Sequence, residues 1–255
     1  MLEPRRVAAR AAARRMAEES QTAEGGRWRL GEEVGYQVRF ERRAGPATRI
    51  LVVTEGILVQ MLQADPFLAG VGAVVFDEVH ERSLATDLAL AMARRVQREV
   101  RPDLALLAMS ATLDPGPLAS FLGGPVIESR GRQFPVEVLH VDWPGGRPDE
   151  RPLSGLASRV ATGVERMLAA TDGDVLTFLP GVAEIERARE ALAPLAAAHD
   201  LAVLPLYGDL PPERQDEVLR RGPRRKVVLA TNVAETSITV DGVSAVVDSG
   251  LVRRL

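Results

Sequence analysis

The chain has 255 residues, of which 46% are hydrophobic and 26% charged, and it contains no cysteine. This balance is typical of a globular protein, and the length predicts two modest domains. The composition excludes disulfides and thiolate metal sites, no apolar stretch reaches the roughly 20 residues of a membrane span, and the Arg- and Ala-rich start has no apolar signal core. We therefore expect a cytoplasmic protein.

Arginine supplies all but one of the 32 basic residues, while the formal net charge is −3. A biased genome composition accounts for this preference, but it has a consequence for nucleotide binding. A phosphate-binding loop of the form G-x-x-x-x-G-K-[ST] needs a lysine that reaches the phosphates. The single lysine, Lys226, follows Pro223-Arg224-Arg225 without such a glycine loop. These 255 residues therefore contain no loop of that form.

The start of the chain predicts a short strand at Met1-Leu2 and a helix from Ala8 to Glu19, which is rich in strong helix formers. Between them, Arg5 and Arg6 open a series of arginines. Taken alone, this series is the solvated face of a helix. Two strands are predicted next, over 35 to 41 and 48 to 53. The second runs into Thr54-Glu55-Gly56, where Thr54 is suited to cap a helix over 55 to 64.

The apolar run Val74-Val75-Phe76 ends abruptly in Asp77-Glu78. Such a run is typical of a buried parallel strand whose last residues reach the carboxyl edge of the sheet, where open α/β sheets bind ligands. In nucleoside triphosphatases an Asp at such a strand end holds Mg²⁺, directly or through water, and a neighbouring acidic residue can orient the attacking water. The alternative is an acidic residue that merely caps the following helix.

The next helix is predicted to begin after a Ser83 cap, and its apolar residues recur at helical spacing. We expect them to form one buried face: Leu84, Leu88, Ala91, Met92 and Val96. Leu84 also excludes a zinc site of the form H-E-x-x-H at His80-Glu81, because it stands where the second histidine is needed. A further buried strand is predicted over 104 to 109. It ends in Ser110-Ala111-Thr112, so we expect this tripeptide beside Asp77 at neighbouring strand ends.

Residues 142–153 have the proline, glycine and charge content of a linker. They predict a first domain over 1–141 and a second over 154–255, in which short apolar strands again alternate with helices. Two strands of the second domain end in Phe178-Leu179-Pro180-Gly181 and in the polar loop Thr231 to Val240. A loop of hydroxyls, one amide and one acid must satisfy many polar groups for little apolar burial, so a purely structural role is disfavoured.

In this order the segments resemble motifs of the DEAH/RHA family of superfamily 2 helicases, with the closest likeness to its bacterial HrpB-like branch. Glu3 to Ala9 resembles motif Ia, and Thr54 to Leu58 resembles motif Ib. Asp77-Glu78-Val79-His80 resembles the DEAH box, with Val79 in place of Ala. Ser110-Ala111-Thr112 resembles motif III, and Thr231 to Val240 resembles motif V. The resemblance implies an α/β protein with two RecA-like parallel-sheet domains in tandem.

The resemblance also implies an engine that couples ATP hydrolysis to movement along single-stranded nucleic acid, RNA rather than DNA. Asp77 would hold Mg²⁺, Glu78 would orient water, and His80 would link them to Ser110 and Thr112. Ser237 and Asp241 would approach ATP from the second domain. Seven residues would contact the backbone of the nucleic-acid strand by charge and hydrogen bonding, which gives affinity with little sequence specificity: Arg5, Arg6, Thr54, Gly181, Thr231, Asn232 and Thr236.

The family's phosphate-binding loop and its arginine-bearing motif VI have no counterpart in these residues. We therefore expect both domains to be truncated at the outer ends of the chain, and the chain alone to be inactive, since a lost arginine finger alone lowers the rate by about 10³ to 10⁵. A non-catalytic single-strand-binding remnant is one alternative, although a mere binder has no need of the Mg²⁺ site at Asp77. A metal-dependent nuclease is another, but it lacks a further acidic cluster.

Overall fold

A computed structural model describes residues 1–20, 26–111, 114–129, 131, 134–141, 153, 155–234 and 238–252. The contacts within the chain divide it into two compact units, Met1–Gly131 and Arg132–Leu255. Of the predicted linker 142–153, Leu153 alone is described, so its place as the boundary stays a prediction. In the ranges given above, no helix is long and apolar enough to span a membrane.

Among its described residues, the first unit contains a six-stranded sheet and four α-helices. The strand order is β3-β2-β4-β1-β5-β6, and every pair is parallel except the β2–β3 hairpin. The strands are β1 (Leu2–Glu3), β2 (Val34–Val38), β3 (Glu41–Arg43), β4 (Ile50–Thr54), β5 (Ala73–Phe76) and β6 (Ala105–Ala108), and the helices are α1 (Arg6–Glu19), α2 (Glu55–Ala64), α3 (Leu84–Glu99) and α4 (Pro115–Leu122).

The sheet of the first unit is covered on both faces, because alternate side chains of a strand point in opposite directions. Val52 of β4 packs with Ala9 and Ala13 of α1, whose small side chains let the helix lie close to the sheet. Val53, the next residue, packs on the other side in the core that also contains Phe76 and residues of α2 and α3. Both faces are therefore apolar, as expected for a largely parallel sheet.

Three predictions for the first unit were wrong in detail. The strand predicted over 35 to 41 instead ends at Val38, and the chain turns back at Phe40 to form the hairpin. The predicted buried face of α3 was right only in part: Met92 and Val96 are partly buried against the core, whereas Leu84, Leu88 and Ala91 are exposed. The fully buried residues are Thr86, Ala89, Leu90 and Ala93. Close packing of α3 on α2 and the sheet favours small residues over large ones. The strand β6 is half exposed, because it lies at an edge of the described sheet.

The described part of the second unit contains a four-stranded sheet in the order β10-β7-β9-β8, and all of the pairs in it are parallel. The inner strand β9 is buried at every position, and its core also contains residues of the two helices that precede and follow β7 in the chain. The elements are α5 (Leu156–Ala170), β7 (Asp174–Phe178), α6 (Val182–Ala198), β8 (Ala202–Leu206), α7 (Pro212–Leu219), β9 (Lys226–Ala230) and β10 (Val243–Asp248).

Lys226, the single lysine, is buried at the start of β9. Its Nζ donates to the backbone oxygens of Val218 at 3.0 Å and Arg220 at 2.8 Å, and it lies 3.5 Å from the Asp174 carboxylate. A buried ammonium needs such partners to offset the loss of water. Lys226 therefore stabilises the end of α7 on the sheet, which is a structural role.

Candidate nucleotide and nucleic-acid site

Five segments of the first unit end or turn at one edge of its sheet. Parallel strands deliver their carboxyl ends to the same side, so the strand order also gives the order of the residues that follow the strands. Phe40 follows β2, Thr54 ends β4, Arg5 follows β1, Asp77 follows β5 and Ser110 follows β6. The predicted proximity of the strand ends at Asp77 and Ser110 is confirmed, because β5 pairs with β6 and the Val79 amide donates to the Met109 oxygen at 3.2 Å.

The loop after β5 has an unusual backbone. A 3₁₀ turn, Val79–Glu81, is flanked by Glu78 (φ 51°) and Arg82 (φ 52°), and both flanking residues are left-handed. Such a conformation in a non-glycine residue costs of order 1–3 kcal/mol and persists where the surroundings hold it. The Asp77 carboxylate contributes by accepting from the Glu78 amide at 2.8 Å. The strain thus lies at Glu78, one of the two predicted catalytic carboxylates, and at Arg82.

His80 connects this loop to the end of β6. Its Nδ1 lies 3.4 Å from the Glu78 Oε2 and 3.5 Å from the Ser110 Oγ, and the His80 and Glu78 side chains are each 17% exposed. The structure therefore brings together Asp77, Glu78, His80 and Ser110. Thr112, the other predicted hydroxyl of this set, lies outside the described residues.

Glu3 is a member of this site that the sequence did not single out. Leu2 is in register with Phe76, so Glu3 stands beside Asp77 at the ends of adjacent parallel strands. Its side chain is buried, and the Oε2 has no hydrogen-bond partner. Burial, and after it the negative charge of Asp77, raises the pKa of Glu3 to about 8. An acidic residue ending a strand next to the Asp-Glu strand was the signal that could have identified it.

The two arginines that are predicted to bind the nucleic-acid strand, Arg5 and Arg6, have different surroundings. Arg6 opens α1 and is exposed. The Arg5 Nη2 lies 3.2 Å from the Glu81 Oε1, in an ion pair that joins the segment after β1 to the loop after β5. Farther along α1, Arg10 pairs with Glu41 at 2.9 Å. Part of the arginine series is thus paired within the protein. Arg5 lies between the predicted nucleic-acid contacts and the loop after β5 that carries Glu78.

Thr54 and Glu55 connect helix α2 to the same loop. Thr54 occupies the N-cap position of α2, as predicted, but its side chain makes no capping hydrogen bond. The hydroxyls of Ser83 and Thr86 both donate to Glu55 Oε1, the second at 2.7 Å, and the Thr86 amide donates to Ser83 Oγ at 3.0 Å. The predicted Ser83 cap is thereby confirmed, and the start of α2 is tied to the start of α3.

Phe40 is a further residue at this edge that the sequence did not single out. It lies at the turn of the β2–β3 hairpin with φ 66° and is 91% exposed. The guanidinium carbon of Arg39 lies 4.8 Å from the centre of its ring. Proteins that bind single-stranded nucleic acids stack the bases on aromatic rings, with added contributions from arginine. The signal was Arg39-Phe40 at what the structure shows to be a turn instead of a strand interior.

In the second unit, Gly181 follows β7 and Thr231 and Asn232 follow β9, so these three lie at neighbouring strand ends. Asp241 lies elsewhere. It precedes β10 at the opposite edge, where its amide donates to the Leu219 oxygen at 3.4 Å. The structure thus does not bring Asp241 together with the first three, and its nucleotide role stays a prediction. Thr236 and Ser237 lie outside the residues that the structure describes.

Comparisons with known proteins agree with the motifs. Residues 160–254 match the helicase conserved C-terminal domain. The ATP-dependent RNA helicase HrpB of Escherichia coli (strain K12) is 46% identical over 97% of this chain and 29% of its own length. The probable ATP-dependent RNA helicase DHX35 of Homo sapiens is 39% identical over 98% of this chain and 37% of its own length. The chain thus spans well under half of either relative.

Solved structures give the same result. A crystal structure of the Escherichia coli DEAH/RHA helicase HrpB matches 97% of this chain and 30% of that chain, with a TM-score of 0.81 at 46% identity. A second, of the E. coli DExH-box NTPase HrpB, matches with a TM-score of 0.71. The resemblance to DEAH/RHA helicases and the predicted α/β fold with parallel sheets are confirmed.

Proposed function

The chain is homologous to DEAH/RHA helicases over nearly its whole length, and from this premise we propose that it forms the Mg²⁺-holding and strand-binding core of an ATP-dependent RNA helicase. The observation that carries the proposal is the position of His80, 3.4 Å from Glu78 and 3.5 Å from Ser110. An acidic residue that merely caps a helix needs no histidine between it and the next strand end. A coupled nucleotide site needs such a connection.

Asp77 is the proposed Mg²⁺-holding residue. In nucleotide sites Mg²⁺ is held by one or two carboxylates, while phosphates and waters complete its ligands. Asp77 and Glu78 fit this donor set, and the unpartnered Glu3 Oε2 adds a buried polar atom at the same edge. Within the described ranges no three acidic, histidine or cysteine side chains form a metal cage. When bound, the ion would neutralise charge on the transferred phosphoryl group.

Glu78 is the proposed residue that orients the attacking water, because it is the second carboxylate of the pair and His80 holds its position. His80, Ser110 and Thr112 are proposed to link the carboxylates to the binding site for the nucleic-acid strand. Ser237 and Asp241 are proposed to approach ATP from the second unit.

The binding site for the nucleic-acid strand, here called the strand site, is proposed to follow the edge of the sheet that carries Phe40, Thr54, Arg5 and Arg6. The Thr54 hydroxyl makes no capping bond to α2, which leaves the structural explanation of this residue unsupported. Arginine and hydroxyl groups bind the phosphates, and Phe40 offers its ring to a base. In the second unit the proposed contacts are Gly181, Thr231, Asn232 and Thr236. Single-stranded RNA is the proposed partner, because the relatives are named as ATP-dependent RNA helicases.

A fluorescence titration with labelled single-stranded RNA tests the strand site. The double variant Arg5→Ala/Arg6→Ala should weaken binding for all sequences and reduce the salt slope by up to about 1.4, at about 0.7 per lost phosphate contact. The matched control is Arg95→Ala/Arg98→Ala, which removes the same charge from the far end of α3, away from the carboxyl edge. Equal effects of the two double variants would reject the proposed site.

A further inference from the structure

We propose that Glu81 restrains Arg5, and that a bound strand draws Arg5 away from Glu81 and so transmits occupancy of the strand site to the loop that carries Glu78 and His80. This inference rests on the proposed function, because it assumes that Arg5 binds phosphate. It adds to that function a residue, Glu81, that sets strand affinity and acts on the carboxylates through its own loop.

The first support is the geometry of the ion pair. The Arg5 Nη2 and the Glu81 Oε1 are 3.2 Å apart, and the side chains are 20% and 21% exposed. The pair is therefore partly shielded from solvent, unlike the exposed ion pairs Arg15–Glu19 of α1 and Arg95–Glu99 of α3. It bridges two segments that follow adjacent strands, β1 and β5. A ligand that engages Arg5 must act on the segment after β5 as well.

The second support is the position of Glu81 within the loop. It ends the 3₁₀ turn that contains His80, and its amide donates to the Glu78 oxygen at 2.9 Å. The next residue, Arg82, is left-handed, as is Glu78. A turn held between two strained residues has little freedom to absorb movement at one end. Displacement of Glu81 is therefore passed to Glu78 and His80.

The third support is electrostatic. An RNA phosphate offers several acceptor oxygens and a full negative charge, so it competes for the planar fork of Arg5. The carboxylate of Glu81 would then stand beside the phosphate, and like charges at such separations repel. Glu81 thus lowers the affinity of the strand site, and strand binding favours a loop in which Glu81 has moved.

A titration with a labelled oligouridylate tests the restraint in the 255-residue chain. Glu81→Gln keeps the size of the side chain and removes its charge. We expect binding to tighten about twofold to fivefold, the upper part of the range for solvent-accessible ion pairs, and the salt slope to steepen by up to about 0.7. The matched control is Glu99→Gln, which removes the same charge from the exposed Arg95–Glu99 pair of α3 and should leave binding unchanged.

The double variant separates this inference from the proposed function. With Arg5→Ala in place, Glu81→Gln should change affinity by less than about twofold, because coupled residues are not additive. If Arg5→Ala weakens binding but Glu81→Gln alone leaves it unchanged or weakens it, the restraint is refuted and the strand site survives. If neither variant alters binding, the proposed phosphate contact at Arg5 itself is refuted.

Hydrogen exchange tests the transmission to the loop. The amides of Glu81 and Arg82 donate to the oxygens of Glu78 and Val79, at 2.9 and 3.3 Å, so their exchange reports on the turn. Saturating oligouridylate should speed their exchange in the wild-type chain and not in Arg5→Ala saturated with the same oligonucleotide. Unchanged exchange in the wild type at saturation would overturn the transmission.

Discussion

Glu3 and Asp77 stand side by side at the ends of two adjacent parallel strands, and the Glu3 carboxyl is only 3% exposed. Burial, with the charge of Asp77 as the second cause, raises the pKa of Glu3 from 4.5 to about 8. The folded protein therefore keeps a proton that the unfolded chain releases above about pH 4.5. It follows that Glu3 makes the free energy of unfolding fall as pH rises from about 4.5 to about 8.

Glu3→Gln should remove this part of the pH dependence, because the amide stays neutral. We expect the variant to equal the wild type near pH 5 and to exceed it at pH 8 by a few kcal/mol, since one pKa unit corresponds to about 1.4 kcal/mol. Urea denaturation of both proteins from pH 5 to pH 8 measures the difference. Glu99→Gln is the exposed control and should run parallel to the wild type. A difference between Glu3→Gln and wild type that does not vary with pH would contradict the assignment.

The role of Glu78 is testable in a polypeptide that also supplies a phosphate-binding loop and the arginine motif. Glu78→Gln should bind nucleotide nearly normally and lose hydrolysis by about 10² or more, the scale of a lost catalytic base. Phosphate release, measured without and with single-stranded RNA, gives the basal and the RNA-stimulated rate of hydrolysis. The 255-residue chain is the companion control and should release no phosphate above background. Normal turnover by Glu78→Gln would remove this residue from the reaction.

Phe40 gives a test of the hairpin as part of the strand path. Phe40→Ala should weaken single-stranded RNA binding by about 1–3 kcal/mol, the value of one stacked base. Phe40→Trp should retain affinity because it keeps an aromatic face. Phe67→Ala is the control, since Phe67 is also exposed but lies in the loop that leads into β5, away from the carboxyl edge. Equal binding by Phe40→Ala and wild type would place the strand elsewhere.

Lys226 gives a test of stability that is independent of function. Lys226→Met keeps the length of the side chain but leaves the oxygens of Val218 and Arg220, and the Asp174 carboxylate, without this partner. We expect a loss of about 3 kcal/mol in the free energy of unfolding, the scale of breaking one side of a buried pair. Arg214→Met, at a pair with Glu217 in which both side chains are mostly exposed, should cost less than about 1 kcal/mol. Urea denaturation distinguishes the two, and equal losses would show that Lys226 is not a structural anchor.

The adjacency of Asp77 and Ser110 was predictable from the sequence, because consecutive strand-helix units tend to place their strands side by side. The buried face of α3 was predictable only in part, because Met92 and Val96 pack against the core and Leu84 and Leu88 do not. Its large residues Leu84 and Leu88 follow a helical spacing, yet the helix packs through Ala89 and Ala93. The spacing of apolar residues shows that a face exists, whereas the shape of the neighbouring elements decides which residues it contains.

By itself, the sequence determined that the chain forms α/β units with largely parallel sheets, and it determined the helicase motifs and the strand ends that carry them. These features depend on local propensity and on the apolar runs that form buried strands. The tertiary structure alone decided that Glu3 lies against Asp77, that Arg5 pairs with Glu81, and that Asp241 stands at the edge opposite Thr231. Such pairings depend on strand order, register and side-chain direction, which bring together residues that are far apart in the chain.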